Sequence, residues 1–498
     1  PSKTENTEIM KTLKIFLLAV IPLVFFACSE DLMDEINKDR NNPANIAPAN
    51  MLPDAMLKTA FETTGTDIAW YATVYIEHST GTWAQSATAD KRQGQNDASL
   101  FNNNWNELYD LLNTLQDIRT KTSEGGDEPE NTWARGIAEV LTAYNLGVLT
   151  DMWGEVPWTE ACKGLELMKP KYDKQSFIYS EIQRLLDEAI TDLSNVRSQD
   201  KNPSLDYIYA GNEAKWIKAA WALKARYYIH LTGRDNNAAQ NALGCISKAF
   251  ASNADNFLFA KYEASATGEN PWYQFLADRS HLSAGKTLFD LMKERNDPRI
   301  LAYFTPMEEG TDTIISGTDT LIYYPAPNGE AGQTQGGTYS TSLITENGAT
   351  APTPLMTYHE LKFIEAEAKF RTGDNTWKDA LQAAIQANFT FHGLTTGDAD
   401  TYFTNDVEPR LTAGNELKEI LTQKYIAFYE YEAIEAYNDY RRTGIPEMKN
   451  PNNLAVNRGF VHRFPYALSE TSANPDNVPQ IDVYKDKVWW AGGNELVK

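Results

Sequence analysis

The chain has 498 residues, with 45 basic against 68 acidic side chains, a net charge of −23, and 42% hydrophobic residues. That length suits one large domain or two to three ordinary ones with ample surface to bury, and the charge works against nucleic acid, anionic headgroups and polyanionic ligands because no basic run offsets it. Three cysteines are too few for a disulfide scaffold, whereas 12 Trp, 25 Tyr and 20 Phe supply flat apolar faces, many with a polar handle.

The first element is MKTLKIFLLAVIPLVFFACSEDLMDE, from Met10 to Glu35. Lys11 and Lys14 form a basic head, Ile15 to Phe26 an apolar core, and the small Ala27 stands directly before Cys28. This pattern predicts a secretory signal ending in a lipobox and cut before Cys28. The apolar core is too short to cross a bilayer, which takes about 20 residues. Lipidation of Cys28 would hold the mature chain firmly, because a buried CH₂ contributes about 0.8 kcal/mol and more than one acyl chain gives lasting attachment. Phe25 stands where lipoproteins usually have Leu, so an ordinary signal cut at a cysteine stays as the alternative. Residues 1–9 read as upstream of a start at Met10. The expected organisation is upstream residues and signal over 1–27, a lipidated tether rich in Asn and Pro over 28–54, and one folded domain over 55–498.

A first helix is expected from about Met56 to Glu77, then a polar break from Gly81 to Asp97. Leu108, Leu111, Leu112, Leu115 and Ile118 recur at spacings of three and four and predict a second helix, paired with one over 132–154. Residues 177–193 place Ile182, Leu185, Leu186, Ala189, Ile190 and Leu193 on one stripe. Residues 221–250 and 361–389 repeat a scheme: an Ala-rich helix, a Thr-Gly stop, then a second helix with an Ala-Leu pair. The fold class that follows is mainly α, with tetratricopeptide-like stacked helical hairpins. Between the repeats, residues 252–356 form a large loop-rich insert in which TIIS and LIYY predict a short β-hairpin. A last helix is expected from Glu416 to about Arg442, then a loop-rich tail.

Five segments, TDMWGEVPWTEA (150–161), NDPRI (296–300), TYHELKFIEAEAKFRTGD (357–374), ILTQKYIAFYEYEAIEAYNDYRRTGIP (420–446) and RFPYALSETSANPDNVP (463–479), together resemble the SusD/RagB-like family, in particular its SusD-like type 2 branch. The acidic Ser29-Glu30-Asp31 after Cys28 resembles the export signal of such lipoproteins. The resemblance implies an outer-membrane, cell-surface lipoprotein that captures glycan oligosaccharides and delivers them to a SusC-like TonB-dependent transporter, acting as its lid. The same role for oligopeptides is the alternative.

A surface glycoside hydrolase or peptidase is the competing class of function, and the sequence gives it little support. Ala284-Gly285-Lys286-Thr287 lacks the first glycine of a phosphate loop and reads as a helix start. Asp151 and Glu155 could be a glycosidase pair, but capping and turn bonding at a helix end is the stronger reading. No HExxH or GxSxG is present, so neither metal, cofactor nor nucleophile is expected. Binding asks only for apolar platforms with polar groups at their rim. Loop-borne candidates are Trp83 with Gln85, and Trp272 and Tyr273 with Arg279; each aromatic could equally be packed on the core. Trp105, Trp153 and Trp216 lie on apolar stripes and are expected inside, and Cys162 and Cys245 read as buried small hydrophobes.

Overall fold

In the computed structural model of the chain, residues 45–265, 267–448 and 459–497 are described, and the account that follows concerns the compact unit from Pro48 onward. The expected signal, Cys28 and most of the tether lie outside the described residues. Helix α1 (Pro48–Lys58) begins inside the stretch assigned to the tether. Pro53 within it hides its periodicity, but burial of Leu52, Ala55 and Met56 outweighs the lost hydrogen bond. A π-helical turn (Thr59–Thr63) leads to α2 (Asp67–Tyr75), so the single first helix expected from the sequence is broken. The polar stretch that follows contains β1 (Ser79–Gly81) and a short α3 (Ala84–Asp90).

The stacked helices come next: α4 (Asn102–Lys121), α5 (Thr132–Trp153), α6 (Gln175–Leu193), α7 (Glu213–His230) and α8 (Ala238–Ile246). Each packs on its successor. Helix α5 is buried along almost its whole length, as its apolar composition on every side requires. Trp105, Trp153 and Trp216 are core residues at 3%, 0% and 0% exposure.

The insert is more ordered than its composition suggests, because its pieces are too short to show a period. In chain order they are β2 (Phe257–Phe259), α9 (Pro271–Arg279), β3 (Leu282–Ala284), α10 (Lys286–Lys293), α11 (Ile300–Tyr303), β4 (Asp312–Ser316), β5 (Asp319–Tyr323), α12 (Leu343–Glu346) and β6 (Thr353–Met356). Among the described residues, three two-stranded antiparallel sheets pair β1 with β3, β2 with β6, and β4 with β5. The β4–β5 pair is the expected hairpin. Lys286 opens α10, so the AGKT motif is a helix start, although the short β3 precedes it.

Helices α13 (Tyr358–Thr372) and α14 (Trp377–Phe391) form the second copy of the α7–α8 hairpin, and α13 also packs on α8. After α15 (Thr396–Tyr402) the expected last helix is divided into α16 (Glu416–Ala427) and α17 (Ala433–Thr443). Between them Glu430 takes a positive φ of 67°, and its buried carboxyl accepts the hydroxyls of Ser342 and Thr345. Helix α18 (Leu468–Ala473) lies in the tail.

Asp151 and Glu155 fasten that tail. Asp151 Oδ1 accepts from Trp490 Nε1 at 2.9 Å and from the Tyr179 hydroxyl at 2.5 Å, while Oδ2 accepts from Asn438 at 3.2 Å. Glu155 accepts from Arg463 at 3.2 Å and from the Leu496 backbone N–H at 2.7 Å. Gly154, at φ 79°, leaves room for the Arg463 guanidinium, which a Cβ would meet at 2.6 Å. Both acids are 1% exposed, so they bond a distant segment rather than their own turn, and they line none of the larger cavities among the described residues.

Trp490→Ala is expected to cost about 3–5 kcal/mol of stability, the range for emptying a buried tryptophan site, with an added penalty because Asp151 loses a donor. Urea unfolding checks this; a loss under about 1 kcal/mol would show that the tail is not an integral part of the fold.

Candidate functional site

A cavity of about 450 Å³ opens between the π-turn, α2, the start of α3 and α9. Its walls follow helical spacing. Helix α2 contributes Asp67, Trp70 and Tyr71, at positions 0, 3 and 4, and α9 contributes Pro271, Gln274, Phe275, Asp278 and Arg279, which also share one face. Trp70 and Phe275 stack across the gap with ring centroids 3.8 Å apart and 27° between planes. His281 meets Phe275 edge-on at 5.8 Å. Gly65 makes the approach possible, since a Cβ there would lie 2.4 Å from Pro271 Cγ. Asn270 caps α9, accepting from the Trp272 N–H at 2.8 Å, and Pro271 occupies the first turn, where its missing N–H costs nothing.

The polar groups surround this aromatic floor. Gln85, Ser86 and Gln274 offer amide and hydroxyl groups, and Arg279 and Asp278 are exposed at the rim. Among the described residues, no hydrogen bond or ion pair reaches the Asp67 carboxylate, and burial pushes it from 3.8 up to about 6. Asp67 is half-buried, whereas the Trp70 indole N–H is buried without an acceptor and so offers nothing to a ligand. An apolar stacking face with unspent donors and acceptors beside it is suited to a polyhydroxylated ring.

Of the candidates read from sequence, Gln85 and Arg279 line this cavity. Trp83 is 37% exposed and adjoins the lining residue Ala84, although its own side chain is not in the wall. Trp272 differs from the expectation: it is 4% exposed, on the inner face of α9 beside Leu276, and packs over a 20 Å³ void. Tyr273 is half-buried and lies outside the cavity wall. Sequence reasoning missed Asp67, Trp70, Gln274 and Phe275. The Asn270-Pro271 pair was the available signal, because a cap followed by proline marks a helix start and helical spacing then separates Trp272 from Phe275.

Two other clusters carry different chemistry. Asp151, His230 and Glu435 lie close enough to hold a metal ion, but hydrogen bonds already take up their ligand atoms. His230 contacts the Tyr179 hydroxyl at 3.0 Å and Glu435 at 2.8 Å, and Asn438 donates to Glu435 at 3.0 Å. A larger groove of about 830 Å³ along α4, α5 and α6 has no aromatic in its wall, which makes it a poor sugar platform. Cys162 and Cys245 are free thiols, the first half-buried and the second buried.

The family model described as "Starch-binding associating with outer membrane", SusD-like type 2, matches residues 40–467. A SusD/RagB family protein from Bacteroides thetaiotaomicron is similar at 33% identity and TM-score 0.79, covering 91% of this chain and 100% of its own. A chitin-binding protein is similar at 24% identity and TM-score 0.75 (89% and 99% covered), and a chitin-binding SusD homolog from Flavobacterium johnsoniae at 19% and 0.72 (90% and 98%). These two likenesses concern the fold. No curated protein matches the chain. Among the described residues, no helix is long and apolar enough to cross a membrane.

Asp67→Asn tests the floor of the cavity. A carboxyl whose folded pKa is raised contributes stability that is complete below 3.8 and lost as pH rises through about 6. At neutral pH the ionised form therefore costs stability. A tenfold change in a protonation equilibrium corresponds to about 1.4 kcal/mol, more than the roughly 0.3–1 kcal/mol an acid gains in a helix first turn. The variant should melt at the same temperature as the parent or higher at pH 7.5, with the gain fading toward pH 4; a lower melting point at pH 7.5 would mean that the carboxylate has a partner in the folded chain.

Proposed function

The chain belongs to the SusD/RagB-like family of starch-binding proteins associated with the outer membrane, and from that premise we propose that it captures glycan oligosaccharides in the cavity between α2 and α9 and passes them to a SusC-like TonB-dependent barrel, over which it acts as a lid. The observation that carries the reading is the Trp70–Phe275 stack with the unpartnered Asp67 carboxylate beside it. A pyranose C–H face lies on the aromatic pair, and two ring hydroxyls donate to Asp67. Gln85, Gln274 and Arg279 read the rim, and Trp83 extends the platform for a longer chain.

The role is binding without turnover. Asp151 and Glu155, the two acids with the spacing of a catalytic pair, are buried and committed to the tail. Delivery through a separate SusC-like barrel is part of this proposal and rests on the family the chain belongs to. The lipid anchor at Cys28 and the tether before Pro48 belong to this proposal: they would keep the domain on the cell surface beside its barrel while leaving it free to swing.

Calorimetry with starch and chitin oligosaccharides, and with oligopeptides as the competing ligand class, tests the reading. Phe275→Leu should weaken glycan binding roughly tenfold to a hundredfold, the usual effect of removing a stacking platform. Asp67→Asn should weaken it roughly tenfold, and parental affinity should fall as pH drops below about 6, where the carboxyl gains a proton. Binding of peptides alone, glycan affinity untouched by both variants, or steady release of shortened glycans by the pure protein would each defeat the proposal. Cys28→Ala should release the protein from membranes and break its copurification with a barrel.

A further inference from the structure

The wall of the cavity between α2 and α9 carries an acid that nothing in the described chain neutralises. Asp67 lines it, half-buried, and no hydrogen bond or ion pair reaches its carboxylate among the described residues. The other charged groups of the wall, Asp278 and Arg279, stand exposed at the rim. Arg279 adds to burial in holding His281 below its usual range, so His281 brings no charge of its own at neutral pH; Asp67 is moved by burial alone, to about 6. A further acid stands beside the floor. Glu62, in the π-turn, is raised by burial and then by Glu107, with Asp67 adding less. Lys58 offsets Glu62 but is already held by Asp110 at 2.6 Å and Asp54 at 3.6 Å.

A partly desolvated carboxylate without a counter-charge is unfavourable, and a bound cation removes that cost where a neutral hydroxyl supplies only a hydrogen bond. The aromatic floor acts in the same direction, because a ring face attracts a cation within about 6 Å of its centroid. Trp70 lies one turn along α2 from Asp67, and Phe275 stacks on it in the same wall. A neutral sugar uses the rings and a few hydrogen bonds; only a positively charged one uses the acid as a charge. We propose that the glycan taken by this cavity carries free amino groups, as de-N-acetylated glucosamine oligomers do, with an ammonium in place of one hydroxyl on Asp67 and the sugar ring on the Trp70–Phe275 floor. This deepens the glycan reading of the same cavity and rests on it. An N-acetylated sugar presents an amide N–H at that place and a starch sugar a hydroxyl, so each leaves the charge of the carboxylate unmatched. The net charge of −23 draws a cation toward the chain as a whole, while Asp67 fixes where it binds.

Calorimetry on the full chain at neutral pH, with the tetramers of glucosamine, N-acetylglucosamine and glucose (maltotetraose), tests this. The glucosamine tetramer should bind roughly tenfold tighter than the other two, the margin of a charge-assisted hydrogen bond over a neutral one. Asp67→Asn, which keeps the shape of the side chain, should bring that ratio to about one, whatever it does to affinity as a whole. A second measurement needs no variant: followed by carbon NMR of its carboxyl, the Asp67 titration should move below about 6 further with the glucosamine tetramer than with either neutral one. Equal binding of the three oligomers, or an Asp67 titration that the amine moves no further than the neutral sugars do, would overturn the proposal and leave the glycan reading intact. So would a preference that survives Asp67→Asn, as general attraction to the acidic chain would. Failure of all three oligomers to bind would defeat both.

Discussion

The structure depends on a set of buried ionic and hydrogen-bonded groups that join helices far apart in sequence. Asp151 on α5, Tyr179 on α6, His230 on α7, Glu435 and Asn438 on α17, and Trp490 in the tail meet at one place. From there Arg226 on α7 reaches Glu435 at 3.9 Å and is bound by Glu360 on α13 at 2.5 and 2.7 Å. Burial pushes Asp151 up; burial would raise Glu435 as well, but Arg226 and His230 hold it below the usual range. Networks of this type add little net stability over apolar packing, yet taking away one member costs about 3–5 kcal/mol. They therefore penalise any other arrangement of the helices more than they favour this one.

The same logic recurs further along the chain. Asp297 and Arg299, both buried, form a pair whose guanidinium also bonds Asn388 on α14 at 2.8 Å and Gln423 on α16 at 3.0 Å. Glu367 on α13 binds Arg442 on α17 at 2.8 Å, and His359 meets Glu432 at 2.6 Å. Each pair ties the helical stack to the insert or to the final helices. The approach of α9 to α2 is made more locally: β3, which follows α9, pairs with β1, which follows α2, and Phe275 stacks on Trp70 beside that pairing. The polar skeleton lines none of the cavity there.

This division explains what can be read from the amino acids. The segments that carry the family resemblance, TDMWGEVPW, NDPRI, TYHELKFIEAEAKF and AIEAYNDYRR, hold Asp151, Glu155, Asp297, Arg299, Glu360, Glu367, Glu435 and Arg442. These residues are framework, so motif and fold are legible together, as is the helical period of α4 to α6. The cavity is legible only at its edge. Gln85 and Arg279 stand out because they lie near tryptophans in stretches that read as polar, but Trp272 reads as a loop residue unless a helix is assigned over 271–279. Trp70 reads as an ordinary helical aromatic, and nothing in its local sequence marks it as facing a residue about two hundred positions away. The division of α16 from α17 at Glu430 is equally hidden, because it arises from hydroxyl donors at the start of α12 and within it.

The fastening of the tail also orders events during synthesis. Trp153 donates to the Pro465 carbonyl at 2.9 Å, Trp490 covers Asp151, and Leu496 closes on Glu155. Helices α5 to α7 are thus left with an uncovered wall and unsatisfied acids until residues more than three hundred positions beyond α5 have been made. Contacts of such sequence separation form late, since the intervening loop must be ordered before they are rewarded. A chain built in this way keeps that wall incompletely packed until its last residues have been made.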